Sequence, residues 1–242
     1  MLRAYSSSWD GGNVLPKLDR EEVHHLVRVR RVRIGEIVEI LNGKGHVGSA
    51  EVLSVDGTKL GLNLRAIREI PESRLQVHLL VALPKGKTFP GLLHKAVELG
   101  VSRITPLATE NVEVPPERAG KKQDRWESVL IEALKQSGNP WMPRLDAPSS
   151  LDKELQGPAD AARICAALQP DASPLWQLLG NPLKPVGVIQ VFVGPEGDFS
   201  DAEYKQLRGA GCHFVSLGPL VLKVETAASL VMGALQLWSQ GA

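Results

Sequence analysis

Val191-Phe192-Val193-Gly194-Pro195-Glu196-Gly197-Asp198-Phe199-Ser200 is the stretch on which the fold of this chain turns. Its apolar, partly β-branched start reads as a buried strand, and Gly-Pro ends that strand abruptly. Asp198 and Ser200 then suit the opening of a helix through Ala202-Glu203-Tyr204, because short polar side chains cap free backbone amides. Glycines in such a turn let backbone approach a flat ligand closely, and Glu196 adds a carboxylate beside it. Taken by itself the stretch is a tight strand-to-helix turn. Its surroundings decide what more it is.

Upstream, strands alternate with helices. Leu75 to Leu83 reads as a strand that stops at Pro84, and Phe89, Leu92, Leu93, Ala96, Val97 and Leu99 form a helical stripe ending at the C-cap glycine Gly100. Ile104 to Leu107 is a short strand; Trp126, Val129, Leu130, Ala133 and Leu134 mark a helical face closed by Ser137-Gly138. Arg163 to Leu168, Val186 to Val193 and His213 to Leu217 add three strands, and a last helix runs from about Glu225-Thr226 through Leu237. This alternation predicts an α/β fold, a mostly parallel sheet with helices on both faces. Ligands of such sheets bind at the carboxyl ends of strands, which singles out the loops after Leu168, Val193 and Leu217.

The texture changes at Pro71-Glu72-Ser73-Arg74. Before it, Gly35 to Leu41, Val47 to Val55 and Leu60 to Leu64 read as strands joined by Asn42-Gly43 and Asp56-Gly57, dipeptides that tolerate the positive φ of hairpin turns. The expected organisation is a small all-β barrel over residues 1–70 and an α/β domain over 75–242. Residues 1–70 carry 11 Lys/Arg against 9 Asp/Glu, and Arg28, Arg30, Arg31 and Arg33 crowd together there. Such a cluster on a chain of net charge +1 either guides a phosphate backbone or is a solvated, arginine-rich strand.

Composition excludes other classes. Hydrophobic residues at 43% and charged residues at 23% argue against disorder. Cys165 and Cys212 are too few for a zinc cluster or disulfide framework and read as buried thiols of a reducing cytoplasm. The start, MLRAYSSSWDGG, lacks the apolar run of a signal peptide, and no apolar stretch of about 18 residues is present to span a membrane. A soluble, cytoplasmic protein is expected. Gly43-Lys44-Gly45-His46-Val47-Gly48 matches a dinucleotide fingerprint as a string but lies between two strands, so no helix N-terminus faces a pyrophosphate. Gly86-Lys87-Thr88 reads as a strand-to-helix turn with Thr88 as N-cap. His24-His25 cannot share one helix face and lacks partners at ligand spacing, so no metal is expected. No Gly-x-Ser-x-Gly elbow supports hydrolase chemistry.

A second loop, Ser216-Leu217-Gly218-Pro219-Leu220-Val221-Leu222-Lys223-Val224-Glu225-Thr226-Ala227, also leaves a strand and enters a helix. Together the two loops resemble the cofactor pocket of the SPOUT, or α/β-knot, methyltransferases. More narrowly, the chain resembles the family that methylates N3 of a uridine in small-subunit (16S) ribosomal RNA, with its Gly-Pro-Glu-Gly-Gly-Phe-Ser and Leu-Gly-Pro-Arg-Ile-Leu-Arg-Thr-Glu-Thr-Ala patterns. Ala82-Leu83-Pro84-Lys85-Gly86, Lys95 to Val101, Gln136-Ser137-Gly138, His25-Leu26 and Arg33 to Glu36 extend the likeness over nearly the whole chain.

The resemblance implies a trefoil knot near the C-terminus, a PUA-like N-terminal RNA-binding barrel, S-adenosyl-L-methionine as methyl donor, 16S ribosomal RNA or the small subunit as partner, and a homodimer. Apolar Leu230, Val231, Leu235 and Trp238 exceed what one helix face needs and fit that dimer. Implied cofactor contacts are Leu168, Val193, Gly194, Pro195, Glu196, Gly197, Leu217, Gly218, Leu222 and Thr226. Implied RNA contacts are Arg28, Arg30, Arg31, Arg33 and Lys85. Lys223 is the candidate cation for charge developing on the base, with Glu225 orienting it or taking a proton and Thr226 hydrogen bonding; a structural Lys223–Glu225 salt bridge is the competing reading. Leu220 and Lys223 stand where the family carries arginines, Val224 where it carries threonine, and Asp198 where it carries a second glycine. These departures keep open a non-catalytic RNA-binding or ribosome-assembly protein on the same fold, whereas ribose methylation by a related knotted enzyme fits the N-terminal barrel poorly.

Overall fold

Alternating apolar residues and turn signals build the N-terminal part of the computed structural model, which describes residues 1–57, 59–84, 88–111, 122–157, 161–180 and 187–241. Here β1 (Leu2–Tyr5), α1 (Arg20–His24), β2 (Ile37–Leu41), β3 (His46–Asp56) and β4 (Lys59–Glu69) follow in order. The four strands make one sheet, β1-β2-β3-β4, with β1 parallel to β2 and the others antiparallel. Ala4, Val38, Ile40, Ala50 and Val52 point to one side and close over Trp9, Leu26 and Val32 as an apolar core. The glycine-rich string at 43–48 is indeed a hairpin. Asn42 Oδ1 accepts from the amides of Lys44 (2.8 Å) and His46 (3.0 Å), while Gly43 and Gly45 take φ of 72° and 91°.

One expectation fails here. The arginine cluster is not a strand: α1, capped by Asp19 accepting from the Glu22 amide at 2.8 Å, runs on into a π-helical turn, His25–Val29. Arg28 lies in that turn, Arg30 caps it, and Arg31 adopts φ 53° before the chain turns toward β2. Buried Leu26 and Val32 anchor the segment, with half-buried Val27 packed beside them, and a two-residue periodicity misreads it because neighbours Leu26 and Val27 both meet the core.

The α/β part contains β5 (Gln76–Ala82), α2 (Phe89–Glu98), β6 (Arg103–Ala108), α3 (Gln123–Ser137), β7 (Arg144–Leu145), β8 (Ser149–Ser150), α4 (Leu151–Leu155), β9 (Ala162–Ala166), β10 (Ser173–Pro174), α5 (Leu175–Gly180), β11 (Val188–Val193), α6 (Asp201–Gly209), β12 (His213–Ser216) and α7 (Val224–Gly241). Its eight-stranded sheet has the order β10-β12-β9-β11-β5-β6-β7, with β8 also on β6, and every pairing is parallel. The central strands are buried on both faces, which is why they read as continuous apolar runs: Leu79, Leu80, Ile164, Ile189, Val191 and Phe192 have no exposed surface. Compactness divides the chain into Met1–Glu72 with Ile131–Met142, and Ser73–Leu130 with Pro143–Ala242. Thr88 occupies the N-cap of α2 without a side-chain cap bond, and Gly100 ends that helix with φ 68°. Cys165 is buried as expected, but Cys212 is only half-buried, because it precedes β12 rather than lying within it; its burial still pushes its thiol up to about 12. Among the described residues no helix is long and apolar enough to cross a membrane.

A polar network lies inside this apolar sheet. His78 Nε2 and Thr105 Oγ1 are 2.7 Å apart, and Thr105 Oγ1 donates to Asp146 Oδ2 at 2.6 Å. Arg103 Nε also donates to that oxygen at 2.6 Å, and Arg144 Nε lies 2.8 Å from Oδ1. Burial, helped by the Arg103 charge, lowers His78 from 6.5 to about 4. Burial by itself would raise Asp146, but hydrogen bonds from Thr105 and Arg103 hold it below the usual carboxylate range. Between pH 6.5 and about 4 the unfolded chain takes up the His78 proton before the folded one does. Folding stability is therefore expected to fall as pH drops through that window, by about 3 kcal/mol for this group. Denaturant melts across pH check this: His78→Gln is expected to flatten the slope, and an unchanged slope would mean that His78 titrates normally in the folded chain.

Candidate active site

Parallel neighbours β12, β9 and β11 end side by side, so the loops leaving them meet. Ala166, Ala167 and Leu168 after β9, Val193 to Glu196 with Asp198 after β11, and Ser216 to Gly218 with Leu220 to Leu222 after β12 enclose a cleft. Val224 and Ala227 of α7 complete it. The empty space among these residues is about 640 Å³ with the adjoining open solvent included, so the site is a cleft and not an enclosed cavity. Its wall is mainly apolar, with Glu196, Asp198 and Ser216 as polar side chains.

Two glycines serve it for different physical reasons. Gly218 has φ 114°, a conformation side chains rarely adopt, with nothing within 4 Å of where a Cβ would stand. Gly194 has ordinary φ; there a Cβ would sit 3.1 Å from Phe199 Cδ2 and 3.4 Å from Asp198 Oδ1. The turn itself is tied down. Asn111 Nδ2 donates to the carbonyls of Gly197 (3.2 Å) and Asp198 (2.9 Å). Ser200 and Glu203 form a capping box at the start of α6, and Glu203 also accepts from the Glu110 amide at 2.9 Å.

Of the sequence-derived cofactor residues, Leu168, Val193, Gly194, Pro195, Glu196, Leu217, Gly218 and Leu222 come together on this wall. Gly197 and Thr226 do not: Gly197 turns its carbonyl to Asn111, and Thr226 lies on the exposed side of the first turn of α7. Lys223 and Glu225 are also off the wall. The Lys223 carbonyl accepts from the amides of Thr226 and Ala227, both at 2.9 Å, so Lys223 caps α7 while its side chain is exposed. Among the described residues Lys223 and Glu225 form no ion pair, against the salt-bridge reading. Sequence reasoning missed Ala166, Ala167, Asp198, Ser216, Leu220, Val221, Val224 and Ala227 as wall residues; for Val224 and Ala227 the i, i+3 spacing on α7 was the available signal. Asn111 carried no signal, since its partners lie far along the chain. Leu220 and Val221 are 73% and 78% exposed beside the cleft.

In the N-terminal unit, Arg28, Arg30, Arg31 and Arg33 are all exposed, and among the described residues none of their side chains has a hydrogen bond or ion-pair partner. By contrast Arg3 and Arg68 pair with Glu39, and Arg65 with Glu51. Lys85 lies outside the described residues.

Comparison with known proteins bears on these features. Residues 71–236 match the family described as RNA methyltransferase domain, and residues 18–62 match the RNA methyltransferase PUA domain. The chain is 30% identical over 218 residues to the ribosomal RNA small subunit methyltransferase E of Synechocystis sp., covering 89% of this chain and 70% of that one. It is 29% identical over 223 residues to the protein of the same name from Bacillus subtilis, covering 89% and 87%. Among solved structures, the Neisseria gonorrhoeae ribosomal RNA small subunit methyltransferase E bound to S-adenosyl methionine superposes with a TM-score of 0.86 at 29% identity, covering 98% and 97%. A putative methyltransferase from Legionella pneumophila, in complex with the same cofactor, gives 0.84 at 32% identity with the same coverage. The parallel sheet and the N-terminal unit thus agree with these relatives, and the chain belongs to the RNA methyltransferase family that includes the small-subunit methyltransferases E.

Proposed function

We propose that this protein transfers the methyl group of S-adenosyl-L-methionine to N3 of a uridine in 16S ribosomal RNA of the small subunit. The observation that carries this reading is the cleft at the ends of β9, β11 and β12, in a chain whose structural relatives hold that cofactor. The wall suits it: apolar Leu168, Val193, Leu217 and Leu222 for an adenine face, bare backbone at Gly194 and Gly218 for close approach, and Glu196 at the rim.

When bound, the cofactor supplies a methyl group already activated on a sulfonium. The chain's own residues have to orient the uracil and ease the loss of its N3 proton. Lys223, exposed at the N-cap of α7 next to the cleft wall, is placed to balance negative charge spreading to a uracil oxygen as that proton leaves. Glu225, half-buried two residues on and not paired with the lysine, receives the proton, and Thr226 hydrogen bonds to the uracil. Methyl goes to N3, the N3 proton to the Glu225 carboxylate or to solvent, and the neutral thioether remains. Mass mapping of 16S ribosomal RNA from a strain lacking the gene tests the reading: one uridine should lose 14 mass units, about one methylene, and unchanged RNA would count against it.

The unpaired guanidiniums of Arg28, Arg30, Arg31 and Arg33 serve RNA binding in this reading, with Lys85 as a further contact. Replacing all four arginines by Ala is expected to weaken RNA binding and lower its log–log salt dependence by up to about 3, while cofactor affinity stays unchanged. Filter binding across salt concentrations checks this, and an unaltered slope would leave the cluster as mere solvated surface.

The trefoil path and a homodimer in the cytoplasm belong to the same proposal. Val231 and Leu235 are core, not interface, and Trp238 is half-buried. Leu230 and Leu237, one face of α7 at i, i+7, are exposed and remain for a second copy. Sedimentation at micromolar concentration is expected to give twice the chain mass; a monomer contradicts it.

A further inference from the structure

Asp198 holds a conformation that side chains resist. Its φ is 61°, in the left-handed region that aspartate tolerates better than most residues. Its Oδ1 accepts from the Phe199 amide at 2.8 Å and from the Tyr204 hydroxyl at 2.7 Å, and its carbonyl accepts from Asn111 Nδ2 at 2.9 Å. The residue is thereby fixed at both backbone and side chain. The residue is half-buried and lines the cleft wall, with Oδ1 3.4 Å from where a Cβ on Gly194 would stand. Oδ2 has no hydrogen-bond partner among the described residues, and no lysine or arginine there neutralises the group.

We propose that Asp198 is a selectivity-determining residue whose fixed negative charge makes the cleft prefer the cationic methyl donor over its neutral thioether product. This rests on the function proposed above and deepens it. The methyl donor and the demethylated product differ at one atom, by a methyl group and a positive charge on sulfur. Apolar walls hold both about equally, so the Leu, Val and Gly of the pocket cannot favour release of the product, and Glu196, the wall's other carboxylate, is exposed and already has a partner. A nearby carboxylate, held in a partly desolvated cleft, attracts the sulfonium and has no comparable interaction with the thioether. It acts through charge and is not a group that reacts. The turn resembles Gly-Pro-Glu-Gly-Gly-Phe-Ser, which carries glycine at this position, so selectivity of this kind is a property of this chain's own sequence.

Calorimetric titration of the full chain with S-adenosylmethionine and with S-adenosylhomocysteine tests it, using the wild type, Asp198→Asn and Asp198→Gly. Asparagine keeps the left-handed backbone and an acceptor for Phe199 and Tyr204; glycine keeps the backbone alone. In both variants the donor-over-product preference is expected to fall by about fivefold, the scale of a partly exposed charge pair, with product affinity within about twofold. Raising salt should shrink the wild-type preference toward that of the variants. An unchanged ratio, or equal weakening of both ligands, would overturn the inference and leave Asp198 as a clamp for the turn. Wild-type protein that binds neither ligand would instead overturn the functional reading, and this inference with it.

Discussion

Lys223→Ala is expected to lower methyl transfer by about 30- to 1,000-fold, or about 2–4 kcal/mol, while cofactor affinity stays within a few fold. The split follows from where the residue stands. Its side chain is exposed at the start of α7 and is not part of the cleft wall, so ground-state binding of the cofactor is expected to be independent of it. Charge that appears on the base only as the N3 proton leaves does depend on a nearby cation. Its carbonyl, which accepts from Thr226 and Ala227, survives substitution, so α7 should keep its first turn. Lys223→Arg is expected to keep or raise activity. Single-turnover kinetics beside cofactor titration measure the two halves. Joint loss of cofactor binding and thermal stability in Lys223→Ala would make the residue structural.

Gly194→Val is expected to reduce cofactor affinity by more than about 100-fold and to destabilise the chain by about 1–3 kcal/mol, the usual cost of overpacking. The cause is steric, not conformational, since φ there is ordinary. A Cβ at 3.1 Å from Phe199 Cδ2 and 3.2 Å from Cε2 pushes on a ring that is buried and packed edge-on against Tyr204. The ring can yield only by displacing Asp198 and the turn on the cleft wall. Gly218→Ala provides the contrast: open space surrounds it, and its cost comes from φ 114°. Thermal melts and calorimetry separate the two. Wild-type affinity in Gly194→Val would show that the turn lies away from the cofactor.

The α/β domain was legible because its signals are local. The stripe of Trp126, Leu130 and Ala133 falls on α3 as its period requires, and the run Ile189 to Val193 is buried as a central parallel strand must be. The two glycine loops could be placed at strand ends for the same reason. What escaped depends on partners distant in sequence. β1 gains its place only by pairing with β2, more than 30 residues away in the register Leu2↔Val38. His78 looks like an interruption of an apolar strand until Thr105 and Asp146 surround it. Asn111 is an ordinary loop residue until it meets the carbonyls of Gly197 and Asp198. The arginine segment was misread because alternation of charge and valine imitates a strand, whereas Leu26 and Val32 anchor a helix and its turn. Lining residues of the cleft were legible on the loops where backbone makes the wall, and not on α7, where the helix turns Thr226 outward and Ala227 inward.

The most direct measurement incubates the purified chain with S-adenosylmethionine labelled in its methyl group and small-subunit ribosomal RNA, both free and within the subunit. Nuclease digestion and mass spectrometry then locate the label. The expected result is one methyl group per RNA on N3 of a single uridine, absent when Lys223→Ala replaces the wild type over the same time. Label on a ribose oxygen or another base, or cofactor binding without any transfer, would contradict uridine-N3 methylation as the activity of this protein.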